Sequence, residues 1–224
     1  MSYIVAEKLV KKYGKGAAAV TAVSDISFQI ESGEFIGLMG ESGAGKSTLL
    51  SIMGAMNAPT SGQFVVDDID VYRLTQEKQA DFRREFLGFI FQSFHLVPYL
   101  TVYENVMLPL TIIRAGRKRK RALVESALSQ VGLLDKADRL PNQISGGEKE
   151  RVAIARAVVN EPPVLLADEP TGNLDSKTSA EIMKLLQRLN AAGMTIIMVT
   201  HSLECAQYAR RRIQVSDGRL VADN

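Results

Sequence analysis

A mixed α/β fold around a largely parallel sheet is the architecture this sequence predicts, and three observations predict it. Short apolar runs of strand length alternate with longer stretches of helical periodicity. One such run, Phe35 to Met39, passes directly into a glycine-rich loop and then a helical pattern. Between about Leu87 and Asn160 the alternation gives way to mostly helical patterns, and afterwards it resumes. A helical lobe inserted into an α/β core accounts for all three. Within one domain of 224 residues, the core is expected over 1–86 and 161–224 and the lobe over 87–160.

Taken in order, Ile4 to Leu9 and Ser24 to Ile30 alternate with the period of half-buried strands. Phe35 to Met39 is almost continuously apolar, as a strand covered on both faces must be. A helix is expected from about Lys46, a strand over Phe64 to Val66, an Asp67-Asp68 turn, and a polar helix around Thr75 to Arg84. The lobe holds candidate helices near Thr101–Ile113, Lys118–Val131 and Ser145–Val159. Strand Val164–Ala167, helix Ser176–Ala191, strand Thr195–Thr200 and a closing Arg212–Ser216 strand with an Asp217-Gly218 turn complete the chain. There is no internal repeat and no low-complexity segment.

Composition narrows the function. A hydrophobic fraction of 46% and a charged fraction of 23% are those of an ordinary globular domain. With a net charge of +2, few aromatics and no Trp, nothing favours a nucleic-acid surface, and no nucleic-acid partner is expected. The single cysteine, Cys205, excludes an internal disulfide and suits a reducing cytosol. The first residues lack the basic-then-apolar pattern of a secretory signal. No run approaches the roughly 20 apolar residues that a spanning helix needs, since Phe94 to Ile113 is broken by Pro98, Glu104, Asn105 and Pro109. If the chain serves a membrane, it is expected to dock from the cytosol.

The segment Gly40, Glu41, Ser42, Gly43, Ala44, Gly45, Lys46, Ser47 fits G-x-x-x-x-G-K-[ST] at every fixed position, and Thr48 opens the helix behind it. Glycines let the backbone wrap a phosphate chain, and the helix N-terminus reinforces its N–H groups with a positive dipole. Lys46 then reaches the β- and γ-phosphates, and the Ser47 hydroxyl can ligate Mg²⁺. Kinases, GTPases and motors share this device, so it names the ligand and not the job. Further on, the apolar strand Val164–Ala167 ends in Asp168 and Glu169. A carboxylate there can hold Mg²⁺ through water, and the next one can polarise a water attacking the γ-phosphate. Asp168 is assigned to the metal and Glu169 to the general base. A solvated strand end is the plainer explanation of either acid taken alone.

Over essentially its whole length the chain resembles an ATP-binding-cassette ATPase. Ile144-Ser145-Gly146-Gly147-Glu148 is similar to that family's LSGGQ signature, Phe91-Gln92 to its Q-loop, and Asn173-Leu174-Asp175 to its D-loop. His201 follows a strand as the family's switch histidine does, and Tyr13 sits where an adenine-stacking aromatic is expected. The resemblance implies a P-loop NTPase (RecA-like) core, an N-terminal antiparallel β-subdomain and an inserted α-helical subdomain. It implies ATP and Mg²⁺ as cofactors, with Ser47, Gln92 and Asp168 on the metal. It also implies that Ser145, Gly146, Gly147 and Glu148 of one copy face the γ-phosphate held by another, in a dimer positioned by Asp175. Plainer roles stand beside these. Ser145 with Glu148 is also a helix-capping box, Gln92 and His201 are ordinary strand-end hydrogen bonders, and Tyr13 is a packing aromatic. Glu148 and Ile144 replace the commoner Gln and Leu, and Asp68 stands at a hairpin turn where Gly is frequent. Asp tolerates a positive φ better than most residues.

The wording Gly88-Phe-Ile-Phe-Gln-Ser-Phe-His-Leu96, with Leu166-Ala-Asp-Glu-Pro-Thr-Gly-Asn-Leu-Asp175, is similar to one branch of that family. It includes lipoprotein-release (LolD-like) and macrolide-efflux (MacB-like) subunits, which pair with integral-membrane permeases at the cytoplasmic face of the inner membrane and transmit mechanical work. The cell-division ATPase FtsE, which signals through a membrane partner without moving a substrate, is the alternative within the branch. The spacing from Lys46 to Ser145 leaves no room for the long coiled coil of chromosome ATPases, and a guanine-reading N-K-x-D is absent. The apolar segment Ser93 to Val106 fits lobe packing or a groove for a membrane partner. The basic run Arg114 to Arg121 fits a solvated face or a site near anionic headgroups.

Overall fold

A computed structural model describes residues 3–14 and 16–224. Strand β1 (Ile4–Tyr13) pairs antiparallel with β2 (Val20–Ile30) on one side and with β4 (Ser61–Val66) on the other. With β5 (Ile69–Asp70), these make a four-stranded sheet in the order β2-β1-β4-β5. Asp67 and Asp68 join β4 to β5 at φ 49° and 61°. Two successive positive φ values define the tight primed hairpin turn, so Asp68 does the work for which Gly is usually chosen.

The second sheet runs β10-β9-β3-β8-β7-β6 and is formed by β3 (Phe35–Met39), β6 (Leu87–Ile90), β7 (Val164–Asp168), β8 (Thr195–Val199), β9 (Arg211–Ser216) and β10 (Arg219–Asp223). All neighbours are parallel except β9 and β10, which form a hairpin. Alternate residues of the central strands enter different cores. Ile36, Leu38, Val164, Leu166, Ile197 and Val199 pack with α1 (Lys46–Met53) and the antiparallel sheet. Phe35, Leu165, Ala167, Ile196 and Met198 pack with α5 (Gly146–Val158) and α6 (Ser176–Ala191). Burial on both faces explains why these strands read as unbroken apolar runs.

The lobe consists of α3 (Val102–Met107), α4 (Arg117–Gln130) and α5, while α2 (Gln76–Phe86) leads into β6 and the short α7 (Leu203–Ala206) follows β8. Two expectations are corrected here. Leu87–Ile90, expected at the start of the helical lobe, is a strand paired in parallel with β7 and belongs to the core sheet. The helix expected over Thr101–Ile113 stops at Met107 and tightens into a 3₁₀ stretch, Leu108–Ile112, because Pro109 has no N–H to continue the α-helical ladder. Among the described residues no helix is long and apolar enough to cross a membrane.

Candidate active site

The sheet places its chemistry at the carboxyl ends of β3, β7 and β8, where parallel α/β sheets leave a crevice. After β3 the chain turns at Gly40, φ 152°, where a Cβ would lie 2.1 Å from the Val215 carbonyl oxygen. It enters α1 through Gly45, φ 97°, where a Cβ would lie 2.1 Å from the Ala22 carbonyl oxygen. Only glycine fits either place. No side chain caps α1, so its first amides keep their donors free and carry the positive end of the helix dipole. Lys46 is 7% exposed, and its ammonium spans the loop, donating to the Gly40 and Glu41 carbonyls at 2.7 Å each. Ala44 is buried beneath the turn and its N–H donates to Glu41 O.

β7 delivers the carboxylates. Asp168 is hydrogen-bonded to Ser47, and its pKa is raised, first by burial and then by the charge of Glu169, against the opposing pull of Lys46. Glu169 has φ 47°, a left-handed conformation costing about 1–2 kcal/mol in a non-glycine residue. Its N–H donates to Val199 O at 3.0 Å, which fixes that turn against β8. Its Oε2 lies 2.9 Å from His201 Nδ1. Strain held in place at a carboxylate with a histidine partner points to chemical use of the group.

These groups converge on an open recess of about 660 Å³, lined by Ala22, Ser42, Gly43, Gly45, Lys46, Ser47, Thr48, Gln92, Glu169 and His201. Gly40, Glu41, Ala44 and Asp168 stand just behind that lining, Asp168 through its hydrogen bond to Ser47, and three further sets of expected site residues lie away from it. Ser145 and Gly146 are exposed, with Gly147 and Glu148 half-buried, at the start of α5. There Ser145 and Glu148 form a complete capping box, and Lys136 is ion-paired to Glu148. Asp175 caps α6, accepting from the Thr178 N–H at 3.0 Å and the Thr178 hydroxyl at 2.6 Å. Tyr13, 43% exposed, has the Lys11 ammonium 5.2 Å from its ring centre and the Asn57 amide on its hydroxyl.

Residues 23–172 match the family described as ABC transporter. The chain belongs to that family. It is 46% identical over 216 residues to the lipoprotein-releasing system ATP-binding protein LolD of Geobacter metallireducens, covering 96% of both chains. It is 42% identical to the macrolide export ATP-binding/permease protein MacB of Burkholderia pseudomallei, covering 96% of this chain but 33% of that much longer protein. Its fold superposes on the dimeric, post-hydrolysis ATP-binding cassette MJ0796 bound to ADP and Pi, with a TM-score of 0.89 at 39% identity and coverage of 99% and 97%. This ABC chain is therefore an ATP-binding, ATP-hydrolysing cassette.

Within the cassette, three contributions escaped sequence reasoning. Ala22 lines the recess from β2 and sets the glycine at position 45. Asn173 donates to the Gln92 carbonyl at 2.9 Å, tying the strand-end loops of β6 and β7 together. Arg156, from α5, donates to the Phe94 and His95 carbonyls at 2.8 and 2.6 Å, so the segment beyond Gln92 hangs on the helix that Ser145 caps. A small second recess behind Glu169 and His201 contains Thr171 and Cys205, whose oxygen and sulfur are 3.2 Å apart.

Proposed function

We propose that two copies of this cassette close around two ATP–Mg²⁺ and drive an integral-membrane permease from the cytoplasmic face of the membrane, in the mechanotransmission manner of the LolD and MacB branch. The observation that carries the two-copy reading is the division of the site. The cradle, Glu169 and His201 meet in one recess, while the 145–147 turn, exposed at Ser145 and Gly146, stands outside it. A second chain related by a two-fold axis brings such a turn to the open side of the recess.

The residues fit a hard divalent cation. Ser47 and Asp168 are already hydrogen-bonded to each other, and with the carboxamide of Gln92 they offer only oxygen donors. Bound Mg²⁺ neutralises charge on the β- and γ-phosphate oxygens. The chain does the rest. Free amides of α1 and the Lys46 ammonium hold the phosphates. Glu169 takes the proton of the attacking water. His201 aims that carboxylate through Nδ1 and lines the same recess, so it can exchange Glu169 for a phosphate oxygen. Asp175, its carboxylate already taken up at the head of α6, holds the 173–175 turn that is to meet the partner. Tyr13 is proposed to stack on adenine.

Glu169→Gln tests the sandwich. It should bind ATP, hydrolyse it roughly 10²–10⁴-fold more slowly, and elute as a dimer in Mg-ATP; a monomer peak overturns the reading. Gentle extraction of membranes with the tagged chain tests the drive. A co-purifying permease with a large extracytoplasmic domain supports it, and soluble partners alone overturn it.

A further inference from the structure

α4 begins in a way its own backbone disfavours. Arg117, Lys118, Arg119, Lys120 and Arg121 fill its first turn and start its second, with no acid among them and no side-chain cap from Gly116. The N-terminus of a helix carries positive partial charge, so cations there are destabilising. With Arg114 the run holds six cations, more than the whole net charge of +2, and no Asp or Glu lies between Glu104 and Glu125. Among the described residues only Arg121 of this run is ion-paired, to Glu125 at 2.7 Å. Lys120 rests on the Thr111 carbonyl at 3.4 Å. Exposed cations kept where the dipole repels them call for an external anion.

The same surface is apolar between the charges. A recess of about 620 Å³ separates α3 from the start of α4, with Tyr103 and Met107 on one side and Arg117, Lys118, Lys120 and Arg121 on the other. Val124, Ala127 and Leu128 anchor α4 in the lobe, so the face is presented as a fixed patch.

We propose that this face binds an anionic phospholipid surface, rim cations taking headgroup phosphates while Met107 and Tyr103 meet the glycerol and upper acyl region. Inorganic phosphate satisfies the cations but has no use for the apolar side. RNA satisfies the charges but finds one aromatic, Tyr103, for stacking. A headgroup with its acyl stem matches both halves, and long Lys and Arg stems lie along apolar surface while their heads stay wet.

The test sediments the purified chain with phosphatidylcholine vesicles, with and without phosphatidylglycerol. Binding is expected only to the anionic vesicles. It should weaken with NaCl and resist inorganic phosphate at matched ionic strength. Each cation near such a surface is worth about fivefold in partition, so Arg117→Gln/Lys118→Gln/Lys120→Gln/Arg121→Gln together should lower binding by roughly 10²-fold or more. That variant should hydrolyse ATP at the parent rate and melt at or above the parent temperature, because the dipole conflict is relieved. Tyr103→Gln/Met107→Gln, with every charge kept, should bind about tenfold more weakly. Equal sedimentation with both vesicle types, displacement by phosphate, unaltered binding by both variants, or capture of RNA or an acidic peptide but not of vesicles overturns the proposal. None of those results bears on the ATP sandwich, which is read in solution.

Discussion

α1 and α5 both start with glycines at an exposed turn, and they finish their first turns in opposite ways. α1 begins on Gly45 with no side chain over its amides. α5 begins on Ser145, whose hydroxyl accepts the Glu148 N–H at 3.3 Å while Glu148 accepts the Ser145 N–H at 2.8 Å. The first turn has no side chain on its donors, which leaves them open to an anion such as phosphate. The second is already satisfied, and Glu148 is held charged by Lys136 and the Ser145 N–H, which push its pKa below the ordinary range. On the proposed two-copy reading, a turn that meets its ligand only when a partner arrives must be stable while facing water. The glycines differ accordingly. Gly45 is required by its own backbone, whereas a Cβ at Gly146 meets nothing closer than Leu174 Cδ2 at 3.7 Å.

The largest expected effect separates those two glycines. Gly45→Ala should cost about 2–5 kcal/mol, the sum of left-handed strain and overpacking, and abolish ATP binding in a nucleotide titration. Gly146→Ala should melt within about 1 kcal/mol of the parent yet hydrolyse ATP poorly; full activity would break the comparison by removing α5 from the phosphates.

Next in size is a difference in pH response. α5 carries Glu150, 1% exposed with Oε1 lacking a hydrogen-bond partner, its pKa pushed up to about 8 by burial against the pull of Arg156. The folded chain holds this proton more tightly than the unfolded one does. Its contribution is therefore complete below the ordinary glutamate range and is lost as pH rises toward 8. Glu150→Gln should flatten melting temperature between pH 5 and 8 and add on the order of 2 kcal/mol at the upper end. An unchanged pH profile would refute this account of Glu150.

The smallest effect is the sharpest control. Thr101 and Ser145 each anchor a complete capping box. Thr101→Ala and Ser145→Ala should each cost about 1 kcal/mol in thermal unfolding. Only Ser145→Ala should also slow hydrolysis. Equal rates would reduce Ser145 to a cap.

Much of this was legible because local chemistry dictated it. The 40–47 pattern, the acids at the end of β7 and the apolar runs of β3, β7 and β8 need particular residues at particular spacings, and the structure brings Ser42, Gly43, Gly45, Lys46, Ser47 and Glu169 to one recess. The strand Leu87–Ile90 was harder, since four residues of mixed Leu, Gly, Phe and Ile carry no period that separates strand from helix. Pro109 announced a break in the lobe, but only the fold showed where α3 ends. The ties from Asn173 and Arg156 to distant carbonyls left no trace, because any residue supplies a backbone oxygen. Ala22 is silent for the same reason.

Cys205 is the chain's one thiol, 6% exposed, and it sits beside Thr171 in the small recess behind Glu169 and His201. A thiol-reactive reagent therefore counts protomers one for one without any engineered label. Its labelling rate reports how readily the recess behind Glu169 and His201 admits a reagent, readable in the unmodified protein through each stage of nucleotide turnover.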